Sequence, residues 1–498
     1  MASLAIEESK SATSATDIAT VAGRGTILIT GAKIWFMVSG YAIAFTLARL
    51  LTDEDYGLYR VVINVVSILN AVIVTGTYQT ISKYVSQEPE NADTIKSKAL
   101  ILQLYVGGAA SAGFFLLAPV IASALNDPRL TSYLRLASLI TLWYSFYSVY
   151  TGYFNGKKKF GAQAALDITY STLKLIFIVS FAWLGFGVTG SVGGFALAAF
   201  GVLVISAAIA RGRARTSPAK AGELFKFQSQ LLLFTFVLTL LQRVDLMLIK
   251  ALSSPDARLA SENAGYYSAA VDIANLTYQI IVSVTFVIFP LISKATFDGD
   301  RESTQTYIRN TLRYTLMIMT LTATLFSAES SGVLRVIYRE SYQTGAGALR
   351  IIAFGMLFFG LFYVITTIIS ASGKPGISLL FGAVTLFVTS ILNFLLIPTR
   401  GLTGAAIATT VSMCLGATFG CIYLWSRFRT LFSSTTALRL MACAGVTYAA
   451  SLLLTPASRV SVIVNLMLLS LIYVISLIVS GELGRADLRL LARVAGRQ

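Results

Sequence analysis

The chain has 498 residues, of which 56% are hydrophobic and only 12% charged, with a mean hydropathy of +0.74. Soluble domains carry roughly 45–50% apolar and about 25% charged residues, so an ordinary soluble protein is excluded, and so is a disordered chain. What remains is a polytopic α-helical membrane protein, and its net charge of +16 reads as basic loops on an anionic inner leaflet, not as a nucleic-acid surface.

Residues 1–25 read as a short polar cytoplasmic tail, with acidic residues near the start and no continuous apolar run of the signal-peptide kind. Apolar runs long enough to cross a bilayer then follow in series. Six lie at 26–48, 57–82, 99–125, 132–154, 162–184 and 188–210 and form a first lobe, 26–210. A basic, polar stretch at 211–223 reads as a cytoplasmic linker. Six more lie at 224–250, 264–290, 307–330, 346–371, 376–397 and 403–425 and form a second lobe, 224–425. Two extra spans, 436–455 and 460–480, fill the segment 426–480, and a tail at 481–498 is expected in the cytoplasm.

Fourteen spans put both termini on one side. With that side inside, the inner segments hold 25 Lys and Arg against 9 outside, the bias of a cytoplasmic face in a cell membrane. The first lobe is echoed in the second. Asp55-Tyr56-Gly57-Leu58-Tyr59 is matched by Asn263-Ala264-Gly265-Tyr266-Tyr267. Asn155-Gly156-Lys157 is matched by Ser372-Gly373-Lys374, and Gly187-Val188-Thr189-Gly190 by Gly401-Leu402-Thr403-Gly404. Offsets near 210 in constant order point to a six-span unit used twice. An even-numbered unit gives parallel repeats, the plan of a carrier whose lobes rock about a central cleft.

No histidine occurs anywhere. This removes histidine metal sites, Ser-His-Asp and Cys-His nucleophiles, and histidine proton relays. Cys414, Cys421 and Cys443 lie in apolar runs without C-x-x-C spacing and read as small buried hydrophobes. No metal, no cofactor and no catalytic residue is expected.

Ala48-Arg49-Leu50-Leu51, Asp55-Tyr56-Gly57-Leu58-Tyr59, Arg243-Val244-Asp245-Leu246-Met247-Leu248, Gly265-Tyr266-Tyr267-Ser268-Ala269-Ala270 and Phe289-Pro290-Leu291-Ile292-Ser293 together carry a resemblance. The chain resembles, over roughly 24–480, the polysaccharide and oligosaccharide flippase branch of the multidrug/oligosaccharidyl-lipid/polysaccharide (MOP) exporter superfamily. The resemblance implies a V-shaped, two-lobed α-helical carrier. It also implies transport of undecaprenyl-diphosphate-linked or similar lipid-linked oligosaccharides to the outer face, and a cavity lined largely by spans 1, 2, 7 and 8. The expected partners are that lipid-linked glycan and the membrane lipids, and the chain is expected to be a monomer. Whether polysaccharide polymerase or glycosyltransferase machinery works beside it is left open.

Charges inside spans cost about 2.5–3.5 kcal/mol each at mid-helix and are functional candidates by default. Lys33, Arg60, Lys174 and Arg243 are expected to form a cationic cleft for a diphosphate-linked glycan, Arg as a two-pronged fork and Lys as a point charge. Asp167, Asp245 and Asp272 are candidates for charge pairing or for a coupling ion, H⁺ or Na⁺. Arg60 and Lys250 lie near span ends, where snorkelling to the interface is the plainer expectation. Asp167 and Lys174 are two turns apart and share a helix face. Arg243 and Asp245, two apart on a continuous helix, would point about 200° from each other and not pair. The aromatic run of span 4, from Trp143 to Phe154, reads first as packing core and second as a sugar or prenyl contact.

Three rivals remain. A multidrug and cation extruder of the same superfamily suits an acidic cleft better than five cations against three anions. A lipid II flippase shares the fold and span number. A membrane glycan enzyme needs larger outer loops than the dozen or so residues around 253–263 and 331–345.

Overall fold

The computed structural model describes residues 28–210, 235–454, 458–484 and 487. The expected N-terminal tail 1–25, the linker 211–223 and residues 224–234 of the seventh span lie outside these, as does all of the C-terminal tail beyond Asp487. Every described element is helical, with no strand among the described residues. Eight of these helices are long and apolar enough to cross a membrane, or nine when the pair Arg301–Ala328 and Ser330–Ile337, bent by 81°, counts as one.

The chain divides into two compact units, Met1–Thr239 and Leu240–Gln498. Unit 1 holds α1 (Leu28–Leu50), α2 (Asp53–Gln87), α3 (Ala92–Ala124), α4 (Leu130–Gly156), α5 (Phe160–Phe181) and α6 (Gly187–Ile209). A short α7 (235–241) straddles the boundary. Unit 2 holds α8 (Val244–Leu252), α9 (Ala257–Phe297), α10 (Arg301–Ala328), α11 (Ser330–Ile337), α12 (Ala346–Ala371), α13 (Pro375–Phe428), α14 (Ser434–Leu453) and α15 (Arg459–Val479).

Local chemistry sets the ends. Thr52 caps α2 by accepting from the Asp55 amide at 3.1 Å, and Asp53, Glu54 and Asp55 place negative charge on the positive helix end. Asp300 caps α10 through the Ser303 amide at 3.0 Å. The 35 residues of α2 extend about 52 Å at 1.5 Å per residue, well beyond a ~30 Å hydrocarbon core.

The two units share several local features. α4 is the hub of unit 1, packed on α2, α3 and α6; α12 is the hub of unit 2, packed on α9, α10 and α13. Each hub ends on a left-handed residue, Lys158 at φ +56° and Gly373 at φ +84°. The next amide closes back five residues, Lys159 to the Phe154 carbonyl at 2.9 Å and Lys374 to the Ile369 carbonyl at 3.2 Å. Downstream, Gly187 (φ 56°, ψ −138°) separates α5 from α6, and Gly401 (φ 55°, ψ −131°) splits α13. Only glycine adopts that conformation cheaply. The second glycine of each Gly-x-x-Gly lets the re-entering helix pass close: a Cβ on Gly190 would strike Phe186, and one on Gly404 the Leu396 carbonyl.

One expected span is broken. Residues 242–243 form a turn between α7 and α8, with Arg243 at φ −128°. No proline or glycine lies between Leu240 and Val244, so nothing local in the sequence announces this break.

α14 and α15 pack on α10 and α11. The segment after α15 is tied down by charge. Glu482, 2% exposed, accepts from Arg313 Nε at 2.7 Å and from Thr436 Oγ1 at 3.0 Å. Asp487 accepts from Arg313 Nη2 and from the Tyr314 hydroxyl at 3.0 and 2.6 Å. Burial pushes the Asp487 carboxyl up, but these bonds and the Gly484 amide outweigh it and hold it below the ordinary carboxylate value.

Candidate functional site

In unit 1, four of the seven expected site residues come together around α5. Asp167, Tyr170 and Lys174 fall at i, i+3 and i+7 and so share one face of that helix. Tyr144 and Tyr147, three apart on α4, meet this face. Tyr144 stacks on Tyr170 with ring centroids 5.0 Å apart and on Tyr147 at 5.6 Å. The Tyr147 hydroxyl donates to Asp167 Oδ1 at 2.8 Å. Lys33, exposed on α1, lies within electrostatic reach of the same carboxylate.

Lys174 has a different setting. Its ammonium sits 4.4 Å from the centre of the Phe195 ring of α6 and 5.7 Å from that of Phe36 of α1. Among the described residues it has no hydrogen-bond acceptor and no carboxylate partner. Arg60 of α2, half-buried and 5.9 Å from the Tyr56 ring centre, lies close enough for its charge to repel that of Lys174. Two rings hold an ammonium without satisfying its N–H donors, whereas a phosphate or carboxylate oxygen accepts a charge-assisted hydrogen bond worth about 1.5–3 kcal/mol. The arrangement therefore presents a positive charge that an anion can capture.

The α4 aromatic run is mainly core. Tyr147, Tyr150, Tyr153 and Phe154 are buried, while Trp143 packs edge-on against Phe200 at 5.3 Å. Tyr144 is the half-buried ring at the edge of the stack.

Unit 2 places its three expected residues differently. Asp245, 5% exposed near the start of α8, accepts from the Tyr267 hydroxyl and the Leu246 amide, both at 2.8 Å, and from Thr409 at 3.5 Å. Three donors make it a satisfied buried carboxylate. Arg243 lies in the turn before α8, within electrostatic reach of Asp245. Arg243 is not in a helix, so the two residues do not share the continuous helix expected of them. Asp272 is half-buried on α9, five residues beyond Tyr267. Lys250 does not snorkel. It is 0% exposed and donates to the Ala257 carbonyl at 2.8 Å and to Ser261 Oγ at 2.7 Å, tying α8 to the first turn of α9.

The partners Tyr147, Phe36, Phe195, Tyr267 and Thr409 were not identified from sequence. Only Tyr170 carried a signal, through its spacing between Asp167 and Lys174. No group of three or more Cys, Asp or Glu that could hold a metal ion occurs among the described residues.

The fold is similar to that of known transporters. It matches a lipid II flippase, MurJ, in an inward closed conformation with a TM-score of 0.77 at 15% identity, over 92% of this chain and 99% of that one. It matches an inward-facing multidrug resistance MATE family transporter of the MOP superfamily with a TM-score of 0.65 at 16% identity, over 79% of this chain and 94% of that one. In sequence, 168 residues are 21% identical to a protein of Haloferax volcanii described as a probable low-salt glycan biosynthesis flippase, covering 34% of this chain and 36% of that protein. The chain spans about a third of the length of the curated relatives it matches. The family model for polysaccharide biosynthesis proteins matches residues 46–346, more than half of the sequence. The chain is thus an all-helical membrane protein with a MOP-transporter fold, and it belongs to the polysaccharide biosynthesis protein family.

Proposed function

We propose that this protein flips a lipid-linked oligosaccharide, of the undecaprenyl-diphosphate type, from the cytoplasmic to the outer leaflet by alternating access, for export of a surface polysaccharide of the O-antigen kind. The observation that carries this reading is Lys174, an ammonium inside a spanning helix seated on two rings, with Lys33 and Arg60 on neighbouring helices. A diphosphate supplies the hydrogen-bond acceptor that Lys174 lacks among the described residues, and three cations spread over α1, α2 and α5 suit its several negative oxygens. Family membership and the flippase names of two similar proteins support the same substrate class.

In this reading the chain crosses the cell membrane fourteen times with both termini in the cytoplasm, and it acts as a monomeric carrier without catalysing a covalent step. Asp167, Asp245 and Asp272 remain its candidates for ion coupling. Reconstitution tests it. Proteoliposomes holding a fluorescent polyprenyl-diphosphate oligosaccharide are exposed to a membrane-impermeant quencher. The label on the inner leaflet is expected to become accessible within minutes, against hours in protein-free vesicles. Equal rates in the two preparations would count against a flippase.

A further inference from the structure

The α5 face that carries Asp167, Tyr170 and Lys174 begins one turn earlier with Gln163, 4% exposed. Gln163 and Lys174 are eleven residues apart, about 16 Å at 1.5 Å per residue. The two ends of this stripe differ in chemistry. Lys174, seated on Phe36 and Phe195, is the cationic end. Gln163 marks a neutral polar end built from α2, α4 and α5. Its Oε1 accepts from Asn155 Nδ2 of α4 at 2.8 Å, and its Nε2 donates to the Tyr78 hydroxyl of α2 at 3.4 Å. Asn155 Oδ1 accepts in turn from Ser82 Oγ of α2 at 2.6 Å. Tyr78, Ser82 and Asn155 are half-buried, so this end is not sealed into the core. Bonding capacity is left over. Among the described residues the Tyr78 hydroxyl has no acceptor for its own hydrogen, and Asn155 and Gln163 each use one of two amide N–H donors.

We propose that Tyr78, Asn155 and Gln163 form a subsite for the uncharged sugar hydroxyls of the transported glycan, with the diphosphate at Lys174. The inference rests on the anionic-substrate reading above and assigns the part of the substrate that cations do not hold. Sugar hydroxyls both donate and accept, and so do side-chain amides and the phenol. A donor left unused among packed helices carries a desolvation cost that a ligand oxygen relieves. The bond from Gln163 to Tyr78 is at the long end of hydrogen-bond geometry, so a sugar oxygen displaces it with little loss. Three spare donors at one end of a stripe, and an ammonium without an acceptor at the other, fit a molecule that is hydroxyl-rich at one end and anionic at the other. Between the ends, the half-buried Tyr144 ring at the edge of the aromatic stack offers apolar surface to the flat side of a sugar.

Calorimetry with two probes, on the purified full-length protein in detergent, tests this. One probe is farnesyl diphosphate. The other is farnesyl diphosphate bearing an uncharged trisaccharide of hexose and N-acetylhexosamine units. Wild type is expected to bind the sugar-bearing probe more tightly. Tyr78→Phe removes one oxygen and keeps the ring. It is expected to weaken the sugar-bearing probe about two- to tenfold and to leave farnesyl diphosphate unchanged. Adding Gln163→Met, which keeps the length of the side chain, is expected to abolish the preference for sugar. Thermal unfolding confirms that each variant is folded, and Tyr78→Phe alone decides if the double variant is not. A network that serves packing alone would change both affinities together or neither. Equal binding of the two probes by wild type, or an equal effect of Tyr78→Phe on both, overturns the sugar subsite and leaves the anion site standing. Wild type that binds neither probe overturns the anion-site reading and the sugar subsite with it.

Discussion

Replacing Gly152 and Gly156 together by leucine is expected to abolish recovery of folded, monodisperse protein. Both glycines lie on the face of α4 that packs against α2. A Cβ on Gly152 would stand 2.8 Å from the Tyr78 carbonyl oxygen, and one on Gly156 2.8 Å from that of Ser82 and 2.7 Å from Val85 Cβ. These obstacles are backbone or the first atom of a branched side chain, so no rotamer change relieves them. Overpacking a core costs typically about 1–3 kcal/mol per site, and two adjacent sites force the helices apart along one seam. Folded proteins have only about 5–15 kcal/mol to lose. Further along the same helix Ser138 and Ser145 meet α3 instead, where Ser111 Oγ donates to the Ser138 carbonyl at 2.8 Å and a Cβ on Gly107 would strike Ser145 Oγ. Size-exclusion profiles and thermal unfolding in detergent measure the effect. Gly113→Leu, at a position with nothing within 4 Å of its Cβ, is the control expected to behave as wild type. A double variant as stable as that control would contradict the packing described for unit 1.

Lys174→Met is expected to lower transport at least tenfold without lowering thermal stability. The two readouts separate function from packing. Charge-assisted hydrogen bonds are worth about 1.5–3 kcal/mol, so losing the contact between Lys174 and a substrate anion slows transport by about 10- to 150-fold. Methionine keeps the length of the side chain and its packing between Phe36 and Phe195, where a thioether also sits well on rings. It removes a charge that costs about 2.5–3.5 kcal/mol inside a membrane, so the folded protein should be at least as stable. Lys174→Arg keeps the charge and should retain most of the activity. Full transport by the methionine variant would reduce Lys174 to a tolerated buried cation.

How much of this was legible in the sequence depends on how local each signal is. Helices were legible because about 20 apolar residues in a row have few other uses. The Gly187 and Gly401 breaks were visible as matched Gly-x-x-Gly pairs, since glycine marks backbone that other residues resist. The turn at 242–243 was not visible, because neither Gln242 nor Arg243 breaks helices. In the site, Asp167 and Lys174 could be placed on one face by counting residues, with Tyr170 between them. Their partners could not. Phe36 and Phe195 reach Lys174 from two other helices, and Thr409 reaches Asp245 from 164 residues away. Lys250 shows the limit from the other side. Position near a span end suggests an interfacial lysine, but the start of α9 supplies its acceptors and buries it.

Deleting the gene in the source organism and identifying the extracted lipid-linked glycans by mass tests most directly whether the substrate is a lipid-linked glycan. One polyprenyl-diphosphate-linked repeat unit is expected to accumulate and its surface polymer to be lost, with the wild-type gene restoring normal levels of both and the Lys174→Met gene restoring little. A strain with unchanged lipid-linked glycans and new sensitivity to cationic drugs would rule out a glycan flippase and favour an extruder of the same fold.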